Sequence, residues 1–267
     1  MKTKKSIDLT SIGGLLLAFI GIGVGYYLEG GDFAALIAIS PILIIFGGCF
    51  GVVTVTMPLS QLKQMPKILK IVFIDVSYDF QGLIDNMCEW TKVSRREGIV
   101  ALGQATEDVD DPFIKRGIEY ILEGSGYETI QELMEKDLEA TMERHHNGAK
   151  PFEQAGAFAP TMGIVGTVLG LVVILGDLGN SSIEELGHGI AVAFLATFMG
   201  VASANLVFLP FCEKLKAKSG QEILYKEIAM QGILGIQTGT NPKMLRKKLL
   251  AYLPESMKTS GDSDKEE

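Results

Sequence analysis

The groups in this chain that could do chemistry inside a membrane are hydroxyls, amides and prolines, not charges. Ser40 and Pro41, Thr54 and Thr56, Pro160 and Thr161, Thr167, Thr197, Ser203 and Asn205, and Pro210 all fall in long apolar stretches. None of those stretches holds an Asp, Glu, Lys or Arg in its interior. Moving an ion through hydrocarbon ordinarily needs an ionisable group or a wetted polar path, and scattered hydroxyls supply no relay carboxylate. Each Thr also has a local use for its hydroxyl, bonding the carbonyl one turn back. A transport role for these oxygens therefore needs a partner that brings the charge.

Other chemistry is sparse. Cys49, Cys88 and Cys212 are isolated thiols that form no disulfide framework, and they read as small apolar packing groups. His145 and His146 are expected to close a charged helix, where cations meet a favourable dipole. His188 sits at the outer entrance of the last apolar stretch and needs no special task. There is no H-E-x-x-H, no G-x-S-x-G, no P-loop and no Cys/His cluster, so neither an enzyme nor a metal or cofactor site is indicated. A net charge of −8 offers no general attraction for nucleic acid.

The elements that must carry the hydroxyls are defined by where basic residues are missing. No Lys or Arg occurs from Ser6 to Leu62 or from Pro151 to Glu213. A membrane span needs about 20 mostly apolar residues, and four stretches qualify: 12–28, 34–57, 155–176 and 187–211. All 24 basic residues lie outside the two gaps, which by the positive-inside rule places both termini and the middle region of this membrane protein in the cytoplasm. Lys2, Lys4 and Lys5 could begin a signal peptide, but the first stretch runs to Tyr26 and Tyr27 without an A-x-A-like cleavage site and reads as retained. The outer loops, Glu29-Gly30-Gly31-Asp32 and 177–186, are short.

The fold expected is all-α: four transmembrane helices and a helical cytoplasmic domain. The organisation is a stub and first hairpin at 1–57, a cytoplasmic domain at 58–154, a second hairpin at 155–211 and a cytoplasmic tail at 212–267. Residues 61–73 pattern as a basic amphipathic segment on membrane lipid, interrupted near Pro66. Helices follow at 77–102, 112–123 and 127–147, with Asp111-Pro112 as a start signal and Gly124-Ser125-Gly126 as a break. From Met257 the chain reads as a polar tail. Gly21 and Gly25, Gly47 and Gly51, and Gly163, Gly166 and Gly170 allow close helix approach, within one chain or between copies.

Three runs carry a family resemblance: AFAPTMGIVGTVLGLVVIL at 157–175, GIAVAFLATFMGVASANLVFLPFCEKL at 189–215 and GILGIQTGTNPKMLRKKLLAYL at 232–253. With SRREGIVAL at 94–102 and MERHHNGAKPFEQAG at 142–156, they resemble the A subunit of the bacterial flagellar motor stator, the MotA and PomA family. The likeness covers nearly the whole chain. It implies a homo-oligomeric ring of A subunits around the membrane helices of a B subunit, whose Asp carries the proton or sodium ion. It also implies that Pro160 lies at the ion path and that Pro210 ends the helix that transmits movement, with Thr167 and Thr197 facing the B helices. Arg95 and Arg96 then match the basic half of a patch that meets the rotor switch protein. This chain departs from the pattern at the acidic half, where Leu102 is followed by Gly103 and the nearest carboxylate is Glu107. The alternative is an ExbB- or TolQ-like subunit of an ion-driven envelope complex; those relatives have three spans, and the N-P tail motif favours the stator.

Overall fold

A computed structural model describes residues 4–258; the polar tail beyond Lys258 and the residue Lys2 lie outside the described residues. A short strand β1 (Lys4–Ile7) pairs with β2 (Ile74–Ser77), and the rest of the regular structure is helical. The strand pair was not expected, because Lys-Lys-Ser-Ile has no alternating pattern to announce it.

Four helical stretches are long and apolar enough to cross a membrane. The first is α1 (Leu9–Leu28), started by the Asp8 carboxylate, which accepts from the Ser11 backbone N–H at 3.0 Å. The second runs from Phe33 to Thr56 through α2 (Ile39–Ile42), a wide turn at Leu43–Gly47 and α3 (Gly48–Thr56). Past α4 (Leu59–Leu62), α5 (Met65–Val72) carries Pro66 in its first turn, where the missing N–H is harmless. Pro66 thus begins a helix and does not kink one.

The expected helix at 77–102 is two helices, α6 (Phe80–Glu97) and α7 (Ile99–Ala105). Gly98 separates them at φ +86° and ψ 178°, a conformation that essentially only glycine adopts. Then α8 (Pro112–Leu122) starts as Asp111-Pro112 predicts, with the Asp111 carboxylate accepting from Phe113 N–H at 2.9 Å. A second difference is α9 (Tyr127–Gly176), one continuous helix of 50 residues in place of separate helices at 127–147 and 155–176. Pro151 lies inside it. Burial of Ala149 and Phe152 against Val72, Phe211, Cys212 and Leu215 holds the helix through that position, so tertiary packing overrides a local breaker. His145 and His146 are consequently mid-helix, and the dipole argument for them lapses.

The last span begins with α10 (Ile183–Ser203), started by a reciprocal bond pair between Ser182 and Glu185. A wide turn at Ala204–Phe208 leads into α11 (Leu209–Gln237), followed by α12 (Pro242–Leu250) and α13 (Glu255–Lys258). In the wide turn the Leu209 N–H reaches back five residues to the Ala204 carbonyl. Pro210 then supplies no N–H, so the backbone bonding is rearranged around it, as a proline within a membrane helix requires.

The chain divides into two compact units. The apolar unit comprises Ser6–Asp75 and His145–Lys216, and its core includes Ile45, Cys49, Ala159 and Ala204. Its outer surface is apolar, with Val168, Val172 and Phe194 more than half exposed, which suits hydrocarbon or further helices and not water. The charged unit contains Val76–Arg144 and the chain from Ala217. There Leu83, Met87, Ile114, Ile118, Ile130, Met134, Ile233 and Leu245 bury one face of each helix, at about 1.5–3 kcal/mol for each fully buried large side chain.

Candidate functional site

Two helices of the apolar unit meet almost backbone to backbone. A Cβ on Gly200 of α10 would stand 2.6 Å from the Ala159 carbonyl oxygen and 2.9 Å from Gly163 Cα of α9. Neither atom can yield, so hydrogen is the only side chain that fits at this crossing. Farther along the same seam Gly166 meets the Ala196 methyl and Gly170 the Ala193 methyl. The Gly163-Gly166-Gly170 set therefore serves contact within the chain, whereas a Cβ on Gly21, Gly25, Gly47 or Gly51 would meet nothing within 4 Å.

That close approach brings Thr167 of α9 and Thr197 of α10 together, with 2.5 Å between their hydroxyl oxygens. Thr167 Oγ1 also lies 2.8 Å from the Ala193 carbonyl and 3.1 Å from that of Gly163. One hydroxyl has one proton and two lone pairs. The assignment that satisfies most groups has Thr197 donating to Thr167 and Thr167 donating to the Ala193 carbonyl. Thr197 Oγ1 then keeps acceptor capacity for a cation or a protonated acid arriving from outside the pair. Both residues are half-buried, so the oxygens are not sealed in the helix interface. Hydroxyl and carbonyl oxygens are hard ligands, able to receive an O–H donor or an alkali cation. They cannot store a charge.

Pro160 is half-buried on α9, seven residues before Thr167, which puts the two on one helix face about 10 Å apart along the axis. Pro210 is not in this group. It is exposed and borders a cavity of about 270 Å³ lined also by Thr10, Ser11, Leu15, Asn205 and Lys214. Thirteen residues separate it from Thr197, about 20 Å along a helix. The structure thus brings together the two threonines and leaves Pro210 at another place in the fold.

Beside that cavity stands an ion pair that the sequence reading missed. Asp8 is 3% exposed, and its carboxylate accepts from the Thr10 hydroxyl at 2.7 Å and pairs with Lys214 Nζ at 2.8 Å. Asp8 N–H donates to the Phe73 carbonyl at 3.0 Å. The carboxylate therefore starts α1 and ties it to α11, four residues beyond Pro210. The signal available in the sequence was Asp8 directly before an apolar run with Ser11 three residues on, a helix-start pattern.

In the charged unit Arg95 and Arg96 occupy the last turn of α6, exposed, where cations suit the helix dipole. Neither makes an ion pair among the described residues. Other arginines there do: Arg116 pairs with Asp137, and Arg246 with Asp85. Glu107, the nearest carboxylate after Gly103, is exposed just beyond α7. Cys88 is buried beside the Pro242 carbonyl, and burial pushes its thiol above the ordinary range, as expected of a packing group. Among the described residues no set of three or more His, Cys, Asp and Glu could hold a metal ion.

Residues 12–98 match the family described as motility protein A N-terminal, and residues 105–228 match the MotA/TolQ/ExbB proton channel family. Motility protein A of Bacillus subtilis is 39% identical over 249 residues, 93% of this chain and 92% of that protein. Among solved structures, the flagellar MotAB stator complex from Bacillus subtilis matches with a TM-score of 0.86 and 38% identity over 94% of this chain and 98% of that one. The C. jejuni MotAB structure matches with a TM-score of 0.85 and 31% identity over 93% and 97%.

Proposed function

This chain belongs to the motility protein A family, and from that membership and the Thr167–Thr197 hydroxyl pair we infer how it works. It is an inner-membrane stator subunit of the bacterial flagellar motor, forming with a B subunit an ion-conducting complex that converts ion flow into torque. The motor role is favoured over the envelope-complex alternative by relatives that match along nearly the whole chain. The family is a non-enzymatic kind of protein.

The finer reading is our proposal. Several copies of this chain form a ring around B-subunit helices. Each copy offers Thr197 Oγ1, backed by Thr167 and the Ala193 carbonyl, to the ion-carrying Asp of the B subunit. The missing intramembrane carboxylate supports this division of labour, because the seam holds oxygens but no group able to carry charge. Pro160 borders the same path, and Pro210 transmits movement along α11. Both termini and the middle region face the cytoplasm, so that 1–57 and 155–211 hold the membrane hairpins while 58–154 and 212–267 hold the cytoplasmic parts and the lipid-facing basic segment. Arg95 and Arg96 meet the rotor switch protein. The single observation that carries the reading is the 2.5 Å hydroxyl contact at a glycine-only helix crossing, on a chain without a relay acid.

The test is coexpression with a candidate B subunit from the same genome, then native mass measurement of the purified complex. Several copies of this chain bound with B is the expected result. A chain that purifies alone, without B, would contradict it.

A further inference from the structure

Between the end of α1 and the start of α10 lies a cavity of about 330 Å³. Its walls include Ile22 and Tyr26 on α1, Leu36 in the turn that opens the second span, and His188, Leu195 and Phe198 on one face of α10. Neither Thr167 nor Thr197 lines it. From His188 to Phe198 it runs about 15 Å along the helix, half of the roughly 30 Å thickness of a hydrocarbon core. The volume falls in the range of small-ligand sites, about 300–1,000 Å³. Side-chain polar atoms come only from Tyr26 and His188, which mark its mouth. Tyr26 donates its hydroxyl to the Asp32 carbonyl at 3.2 Å. The His188 imidazole makes no hydrogen bond or ion pair among the described residues.

We propose that this cavity holds one acyl chain of an outer-leaflet phospholipid whose headgroup ends in an ammonium, with the ammonium against Glu29 and Glu184 and His188 donating to the phosphate. The proposal goes beyond the ion path and rests on the orientation that puts residues 177–186 outside. Charge selects the occupant. The outer loops and adjoining helix ends carry Glu29, Asp32, Asp177, Glu184 and Glu185 and no Lys or Arg. A lipid with a purely anionic head would meet these carboxylates, and a second copy of this chain would bring the same acids to the same end, so like charge opposes both. Asp32 and Asp177 accept local hydrogen bonds, and Glu185 closes the start of α10 with Ser182. The side chains of Glu29 and Glu184 have no such partner among the described residues. Each stands one turn outward from a residue at the mouth, Glu29 three after Tyr26 and Glu184 four before His188. The dipole of α10 favours an acid at Glu184, in its first turn. Glu29 has no such reason, because it closes the C-terminal end of α1, where the dipole opposes an anion. An ammonium there offsets the repulsion, and the walls behind it suit a hydrocarbon chain, since water finds too few polar partners in such a cavity.

The experiment uses the purified complex with its B subunit in nanodiscs of phosphatidylethanolamine and phosphatidylglycerol. A trace of one lipid or the other carries a photoactivatable diazirine near the end of an acyl chain, and labelled peptides are mapped by mass spectrometry. Both leaflets have one composition, so an inverted orientation would leave the outcome unchanged. Labelling at Leu195 or Phe198 is expected, several-fold stronger from the ethanolamine probe than from the glycerol probe. Ala191→Trp, which fills the cavity from its wall, should lower that labelling several-fold. Glu29→Gln with Glu184→Gln should erase the preference for ethanolamine; both positions are exposed, so this variant should fold. Copurification with the B subunit confirms assembly of each variant. No labelling at these positions would overturn the proposal, as would equal labelling from the two probes, labelling unchanged in Ala191→Trp, or a preference that survives in the glutamine variant. If Ala191→Trp fails to assemble, the probe preference and its loss in the glutamine variant decide alone.

Discussion

At the scale of single residues, the hydroxyl of Thr197 is the group on which the ion-path reading depends. Thr197→Ala removes the donor to Thr167 and the acceptor offered outward, so coupled ion flux should fall about 10-fold or more while the complex still assembles. Thr197→Ser, which keeps both lone pairs and the proton, should retain most of the flux. Equal flux in the alanine variant would reduce the pair to helix packing. Cys88 makes a separate prediction. Burial raises its thiol, so the thiolate is scarce at neutral pH. Iodoacetamide should leave Cys88 unmodified in the folded complex at pH 7 and at pH 8, because burial bars the reagent, and should label it after denaturation. Thr167 and Thr197 were visible in the sequence as hydroxyls in apolar runs. Their contact was not, because it depends on how two helices cross. Asp8 escaped notice because a carboxylate flanking an apolar run reads as solvent-facing, and only the fold brings Lys214 from 206 residues away.

At the scale of elements, the α9–α10 crossing and the α1–α11 ion pair hold the apolar unit. Gly200→Val forces branched carbons into the Ala159 carbonyl and Gly163; overpacking of this kind costs about 1–3 kcal/mol. Thermal denaturation of the complex should show the loss, with the two threonines separated and flux abolished. Removing one partner of a fully buried ion pair costs about 3–5 kcal/mol, yet apolar replacement of both is often neutral. Lys214 is 29% exposed, so Asp8→Asn or Lys214→Met should cost less than that range. Asp8→Leu combined with Lys214→Met should be more stable than Asp8→Leu alone. If the double variant is instead the weaker, the pair is not the source of the stability. Most helix identities could be read from apolar periodicity and from caps such as Asp111-Pro112. The continuity of α9 through Pro151 could not, since it comes from Ala149 and Phe152 packing against residues distant in sequence. The Gly98 break could have been read, because a glycine inside a helical pattern marks a possible stop.

At the scale of the whole molecule, the missing basic residues mark the membrane spans, and the missing intramembrane acids underlie our proposal that the charge carrier lies on another chain. Orientation is testable without function. The native cysteines are buried, so Glu123→Cys adds an exposed thiol on the charged unit. An impermeant maleimide should label it only after the inner membrane is opened; labelling of intact spheroplasts would invert the topology. The central claim is that this chain conducts only with its B subunit, since oxygen ligands without an ionisable or wetted path leave the barrier to a bare ion high. The most direct measurement is ion flux in proteoliposomes holding the purified chain alone or the purified complex, under one imposed gradient. The account predicts flux from the complex and none above background from the chain alone; flux from the chain alone equal to that of the complex would contradict it.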